Sequence, residues 1–361
     1  MRNDGHSSRL LNGIRCALLR WAVIAVKVEF MHSFNTPVVF LIFKRPEKAQ
    51  QVFDQIRQAR PKKLFVIGDG PREHVSGEAA VVDSGREIVA QVDWDCEVHT
   101  DFASKNLGAR RRVATGLDWV FSHVDRAIIL EDDCLPDPSF FPFCEELLER
   151  YEDDTRISLV SGNNHLKGHR VTDDSYSFSW QGNTWGWGTW ARVWQGFGGA
   201  EGVKDSWNKE EQKAILERIP SLAWRLSFGR MLRNAAHLDA WDIPFAVHCQ
   251  ERGYLSVVPE INLVTNIGFG EGSTHTKFES LTLDSPQGSI AFPLDHPLVV
   301  ASNERRDRVE NRVFLWLRLS YPVRHPVEFI MRYLRYFLLL IRSKRAGETG
   351  ALPPIDSSNP R

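Results

Sequence analysis

The sequence predicts an α/β protein organised on a largely parallel sheet, and three stretches carry that expectation. Residues 37–43, 63–67 and 127–130 are short, continuous apolar runs rich in Val, Ile, Leu and Phe. Runs of this length, bounded by polar residues, read as strands buried on both faces. Between the first two, Pro46 suits the first turn of a helix, and Val52, Phe53 and Ile56 recur at helical spacing. Strand, helix and strand in that order form a βαβ unit.

The third run ends in Glu131-Asp132-Asp133. At the C-terminal end of a parallel strand these carboxylates stand where open α/β sheets bind ligands. Three adjacent carboxylates repel one another, which raises at least one pKa unless a cation is present. Hard oxygen ligands favour Mg2+ or Mn2+, and such an ion can neutralise a substrate diphosphate. The bland alternative is a solvated acidic turn.

Composition narrows the classes. Of 361 residues, 42% are hydrophobic and 25% charged, ordinary for a globular chain with a sizeable core. A net charge of -1 gives no whole-protein field for nucleic acid. The five cysteines are odd in number and contain no CxxC, against a disulfide scaffold or structural zinc. Neither GxGxxG nor GxxxxGK[ST] occurs, so dinucleotide and P-loop enzymes lack their phosphate cradles.

Along the chain, Leu10, Leu11, Ile14, Leu18, Trp21, Ala25 and Val28 keep helical spacing, but Arg15, Arg20 and Lys27 interrupt them. Neither a membrane span nor a signal-peptide core is expected there. A basic amphipathic surface helix is one reading; a stretch preceding the true start at Met31 is the other. The strand at 63–67 ends in Gly68-Asp69-Gly70-Pro71-Arg72, a simple turn or a loop whose Asp69 accepts hydrogen bonds from a base or ribose. A short strand falls within 95–104 and a helix within 106–123. Arg110, Arg111 and Arg112 near that helix start oppose its dipole, so a nearby anion such as a diphosphate, or simple solvation, is expected. Asp137 and Pro138 open another helix, followed by a strand at 157–160.

After residue 175 the composition changes. Residues 180–190 interleave tryptophan with glycine, which reads as a loop whose Trp185 and Trp187 offer flat faces for a sugar ring; a packed core loop is the alternative. Residues 206–235 read as helical. Asp242 follows Trp241, and an indole that partly desolvates a carboxylate raises its pKa toward that of a useful base; a helix cap with Pro244 in the first turn is the alternative. Residues 254–258 read as a strand, and 268–276 as a glycine-rich loop able to close on a ligand, with His275 near its end. From 303 the chain turns basic. Phe329, Ile330, Tyr333, Leu334, Phe337, Leu338 and Ile341 give its last helix an apolar face, suited either to an anionic membrane surface or to the protein body. The tail at 346–361 has a disordered composition.

Taken together, the strand before Lys44-Arg45-Pro46, the Gly68-Asp69-Gly70 loop, the strand into Glu131-Asp132-Asp133, the Gly/Trp stretch, Trp241-Asp242, Pro259-Glu260-Ile261 and Gly272-Ser273-Thr274-His275 resemble a known family. This order is similar to that of bacterial nucleotide-diphospho-sugar transferases of the hemolytic-protein-like type. Those resemble in turn the N-acetylglucosaminyltransferase I family, of GT-A fold. The resemblance covers roughly residues 36–280. It implies a GT-A-type (Rossmann-like) mixed sheet flanked by helices, here with a basic amphipathic helical C-terminal extension.

It also implies roles. Asp133 would bind the Mn2+ or Mg2+, Glu131 and Asp132 the nucleotide-sugar, Asp69 the base, and Arg45, Trp241 and His275 further parts of the donor. Asp242 would be the catalytic base. One departure is Gly116, which stands where the Golgi members carry a histidine. The implied organisation is an extension at 1–35, a nucleotide-sugar half at 36–165, an acceptor and catalytic half at 166–300, basic helices at 301–345 and a tail at 346–361. The implied activity is inverting transfer of a sugar from a nucleotide-diphosphate donor, UDP-linked, to a glycan or glycolipid hydroxyl. A cytoplasmic site, peripheral on the inner face of the plasma membrane, goes with it. A non-catalytic nucleotide-sugar or glycan-binding protein on the same fold is the alternative.

Overall fold

A computed structural model describes residues 34–268 and 285–324, together with 326, 327, 330 and 331. The expected α/β architecture is what it shows: an eight-stranded mixed sheet flanked by helices. Strand β1 (Val38–Ile42) leads through helix α1 (Pro46–Ala59) to β2 (Lys63–Gly68), and α2 (Glu78–Arg86) leads on to β3 (Glu97–Phe102). Helix α3 (Ala109–Phe121) then carries the chain back across the sheet to β4 (Arg126–Glu131). The order is β3-β2-β1-β4, with all three pairings parallel. The direction of winding reverses between β1 and β4, and such a switch point opens a crevice at the C-terminal strand ends.

Each element follows from its residues. All five residues of β1 are buried, as its unbroken apolar run requires. Helix α1 turns Ala49, Val52, Phe53 and Ile56 onto the sheet; each of the three larger side chains contributes about 1.5–3 kcal/mol on burial. Pro46 sits in its first turn, where no N–H is needed.

Beyond β4 the sheet is mixed. A short β5 (Cys134–Pro136) precedes α4 (Phe140–Arg150), β6 (Ile157–Ser161), β7 (Tyr176–Ser179) and β8 (Trp187–Trp190). Strand β8 lies antiparallel between β4 and β6. Residues 187–190 are thus not a loop but a central strand with every side chain buried. Their alternation is a strand period, and glycine is there for packing: a Cβ on Gly188 would lie 2.8 Å from the Leu148 side chain of α4. The helix after Asp137 starts two residues later than Pro138 would place it, and Asp137 instead accepts from the Ser139 backbone N–H at 2.9 Å.

After α5 (Ala191–Phe197), the helical stretch divides into α6 (Lys209–Arg218) and α7 (Leu222–Asn234) on either side of Pro220. With α8 (Asp242–Arg252) they enclose a second small core of Trp207, Ile215, Ile219, Phe228, Leu232, Ile243 and Val247. Strand β9 (Leu255–Pro259) joins the sheet between β6 and β7, and β10 (Val264–Asn266) pairs antiparallel with β5. Helix α9 (Glu304–Arg324) closes the described chain. The helical reading of Leu10 to Val28 and the 346–361 tail lie outside the described residues, as does His275.

Candidate active site

The strand register assembles the site. On one side of β1, Leu41 and Ile42 pair with Ile67 and Gly68; on the other, Leu41 pairs with Glu131. The Lys44-Arg45 turn, the Asp69 loop and the acidic turn therefore leave the sheet side by side at the switch point. Between them lies a cavity of about 300 Å³, lined among others by Lys44, Arg45, Asp69, Arg72, Glu131, Asp132, Trp185 and Asp239.

The acidic turn is crowded. Asp132 and Asp133 are both buried, each 7% exposed. Arg45 lies 3.2 Å from Asp132 Oδ1 and also donates to Asp133 Oδ2. The Phe43 backbone N–H donates to Asp132 Oδ2 at 3.2 Å. Burial, then the Asp133 charge, push the Asp132 carboxyl up to about 6. Burial, then Asp133, Asp132 and Asp242, push Glu131 well above the usual carboxylate range. Among the described residues, one guanidinium, that of Arg45, pairs with these carboxylates.

The turn is held in shape from the far side. Ile267 N–H donates to the Asp133 carbonyl at 2.7 Å, and Asn266 Nδ2 approaches Asp133 Oδ1 at 3.4 Å. Gly268 packs directly on the carboxylate: a Cβ there would lie 2.0 Å from Asp133 Oδ2. Only glycine tolerates so close an approach. Residues 269–276 of the glycine-rich stretch lie outside the described residues.

Asp69 is bonded differently. Its carboxylate accepts from Gly70 N at 2.8 Å, Leu107 N at 2.9 Å, Asn106 Nδ2 at 2.8 Å and Gly108 N at 3.1 Å. Four donors fill the lone pairs of a carboxylate. Asp69 lines the cavity, but its side chain ties the β2 loop to the start of α3.

The anion expected at that helix start comes from the protein. Asp239 accepts from the Ala109 and Arg110 backbone N–H groups at 2.7 and 2.9 Å. Gly108, at φ +82, makes room for it, since a Cβ would lie 2.6 Å from Asp239 Oδ2. Arg110 donates to the Ala235 and Leu238 carbonyls. The buried Arg112 pairs with Asp101 at 2.8 Å and donates to the Gly68 carbonyl at 3.1 Å. Arg110 and Asp239 thus clamp the segment before α8 to the start of α3.

The clamp ends three residues before Asp242, the first residue of α8. Asp242 is exposed. The indole turns away: Trp241 is 4% exposed and stacks on Trp187 with ring centroids 5.6 Å apart. Trp187 is fully buried, also packs on Phe245 and offers no face to a sugar. The sugar-stacking expectation thus fails for Trp187, and Trp241 is not among the cavity lining. Both rings went to the core because β8 is interior. Trp185, one residue before Gly186, stays half-buried on the cavity wall.

Sequence reasoning passed over Lys44, Arg72 and Asp239. Lys44 and Arg72 share the buried Glu78, at 3.7 Å for Lys44, with Arg72 holding its carboxyl below the usual range. Burial, then Arg72, lower the Lys44 pKa. Both cations lie within four residues of a strand end, a signal that was legible; Asp239 depends on a contact 130 residues away in sequence and was not. Gly116, where a histidine was noted as absent, packs against Ile67.

Among the described residues no three His, Cys, Asp or Glu side chains form a metal cage. The donors at hand are oxygens, and their excess negative charge suits a hard divalent ion that keeps most of its ligands from water and phosphate. The carboxylates that line the cavity, Glu131 and Asp132, suit such an ion; Asp133 is not in the lining.

No protein-family model matches the chain, and no curated protein does. Among solved structures it is similar to "Mannosyltransferase PcManGT from Pyrobaculum calidifontis in complex with GDP-Man and Mn2+", at TM-score 0.33 and 12% identity, over 61% of this chain and 75% of that one. A likeness so distant carries no weight for the chemistry here.

Proposed function

We propose that this protein is an inverting, metal-dependent glycosyltransferase that moves a sugar from a nucleotide-diphosphate donor, UDP-linked, to a hydroxyl of a glycan or glycolipid. One observation carries the reading: a single cavity at the switch point of the sheet joins an undercompensated acidic turn to the cations Lys44, Arg45 and Arg72. A metal-bound diphosphate needs both signs of charge at once, and a nucleotide alone would need only the second. The family resemblance noted in the sequence points the same way.

In this reading Asp133 would hold the divalent ion, which would supply charge neutralisation for the leaving group. Lys44, Arg45 and Arg72 bind the diphosphate as point charges and forks. Trp185 packs against the donor, and Glu131 and Asp132 hold its sugar hydroxyls. Asp242 takes the proton from the acceptor hydroxyl as that oxygen bonds to the anomeric carbon. The bond from that carbon to the diphosphate breaks, and its electron pair leaves with the nucleoside diphosphate. Attack from the face opposite the leaving group inverts the configuration.

Two measurements test this. Calorimetry should show UDP binding that requires Mn2+ or Mg2+; nucleotide binding indifferent to both ions removes the metal from the scheme. Transfer from radiolabelled nucleotide-sugars should fall at least about a hundredfold in Asp242→Asn with donor binding retained. Full transfer by that variant would overturn the assignment of the base.

A further inference from the structure

Helix α9 presents two opposed faces. The inner one docks on the body of the protein: Arg306, Glu310 and Leu317 are buried, Asp307 accepts from Ser179 Oγ at 2.8 Å, and Phe314 stacks on Trp224 of α7 at 4.2 Å. This attachment fixes how the helix is rotated.

The outer face is apolar, and among the described residues nothing covers it. Leu315, Leu319 and Val323 recur every fourth residue, and Val327 and Met331, also helical, continue the stripe. Their exposures run from 45% to 82%, with Trp316 at 59% and Ile330 at 56% beside them. From Leu315 to Val323 the stripe extends roughly 12 Å at helical rise. The exposed Arg305, Arg308 and Arg312 lie on the same side of the helix, N-terminal to it, with Arg308 paired to the exposed Glu304 at 3.1 Å, and Arg324 rests on the Trp316 ring at 5.3 Å. The chain as a whole has net charge -1, yet residues 304–345 hold eleven Lys and Arg against four Asp and Glu.

We infer that this outer face lies on the surface of an anionic lipid bilayer. The shape is that of an interfacial helix: a narrow apolar stripe with an indole, in line with cations. Anionic headgroups complement Arg305, Arg308 and Arg312, whereas a second copy of this chain would bring the same cations to the contact. Among the described residues no helix is long and apolar enough to cross a membrane, so the contact lies along the surface. The inference stands apart from the transfer chemistry and does not depend on it.

The test is co-sedimentation of the full chain with phosphatidylcholine vesicles, with and without phosphatidylglycerol, at low and high salt. Binding should be more than about tenfold stronger to the anionic vesicles and weaken with salt. The double variant Leu319→Glu, Val323→Glu, at exposed positions and checked for an unchanged thermal midpoint, should lose it. Arg305→Glu with Arg312→Glu should lose the preference for phosphatidylglycerol. Equal binding to both vesicles, binding to neither, or binding that survives Leu319→Glu, Val323→Glu overturns the inference. So does a dimer in sedimentation velocity that the Leu319→Glu, Val323→Glu variant dissolves, because a second copy would then cover the stripe.

Discussion

Two carboxylate sites face the same cavity from the ends of β2 and β4, on either side of β1, and they are built on opposite terms. Asp69, after β2, has four N–H donors on one carboxylate. The acidic turn after β4 gathers Glu131, Asp132 and Asp133 around one guanidinium, and two of the three are driven toward protonation. A carboxylate whose lone pairs are filled by its own loop is part of the architecture, and removing it leaves buried donors without partners. Carboxylates held together with too little positive charge cost stability in the free protein, and a cationic ligand recovers it. Similar side chains at similar strand ends thus serve opposite ends, and the donors around them tell which is which.

The sharpest way to break this comparison is to truncate one residue from each site. Asp133→Ala should abolish metal-dependent UDP binding and lower transfer at least about a hundredfold, with a thermal midpoint unchanged or raised. Asp69→Ala should do the reverse in kind. It strands the N–H groups of Gly70, Leu107 and Gly108, for a loss of roughly 3 kcal/mol in denaturant unfolding. A stable Asp69→Ala protein, or an Asp133→Ala protein that unfolds readily, would erase the distinction.

The same contrast separates what the sequence could tell from what it could not. β1, β2 and β4 were legible because an uninterrupted apolar run of four to seven residues suits little besides a strand covered on both faces. The acidic turn was legible because it ends one of those runs. The exposed position of Asp242 and the burial of Trp187 and Trp241 were not. Residues 180–190 carry both a strand period and the glycines of a loop, and only the pairing of β8 with β4 and β6 decides between them. Asp69 was visible as a polar residue at a strand end, but its four donors come mostly from residues 106–108, brought close by the return of α3. The anion at the start of α3 was anticipated in kind; that it is Asp239 rather than a diphosphate follows from a contact no local pattern encodes.

Asp239 tests whether the architectural side of the comparison reaches the reacting side. It belongs to the clamp, accepting from Ala109 and Arg110, yet stands three residues before Asp242. Asp239→Ala removes a helix cap and should lower stability by about 1–2 kcal/mol. If the clamp positions the base, kcat should also fall several-fold with KM for the donor little changed, and Asp239→Asn, which keeps an accepting oxygen, should restore much of both. Loss of stability with kcat intact would confine the clamp to folding.

The smallest effect bears on the acidic turn itself. Asp132 titrates at about 6 in the folded protein, above the ordinary 3.8. A raised carboxylate pKa means that the folded state holds the proton more tightly than the unfolded one. Its contribution to stability is therefore complete below 3.8 and is lost as the pH climbs through about 6. Asp132→Asn removes that dependence. Without added divalent ion, the variant should match the parent near the lower limit and exceed it by about 1 kcal/mol at pH 8, read from thermal midpoints across the range. For the parent at pH 6, Mn2+ should release a fraction of a proton, measurable as a dependence of the binding heat on buffer ionisation enthalpy. If Asp132→Asn were instead the less stable protein at pH 8, the Arg45–Asp132 pair would be a net stabilising bond. The turn would then be compensated from within, and its likeness to Asp69 would outweigh the difference drawn above.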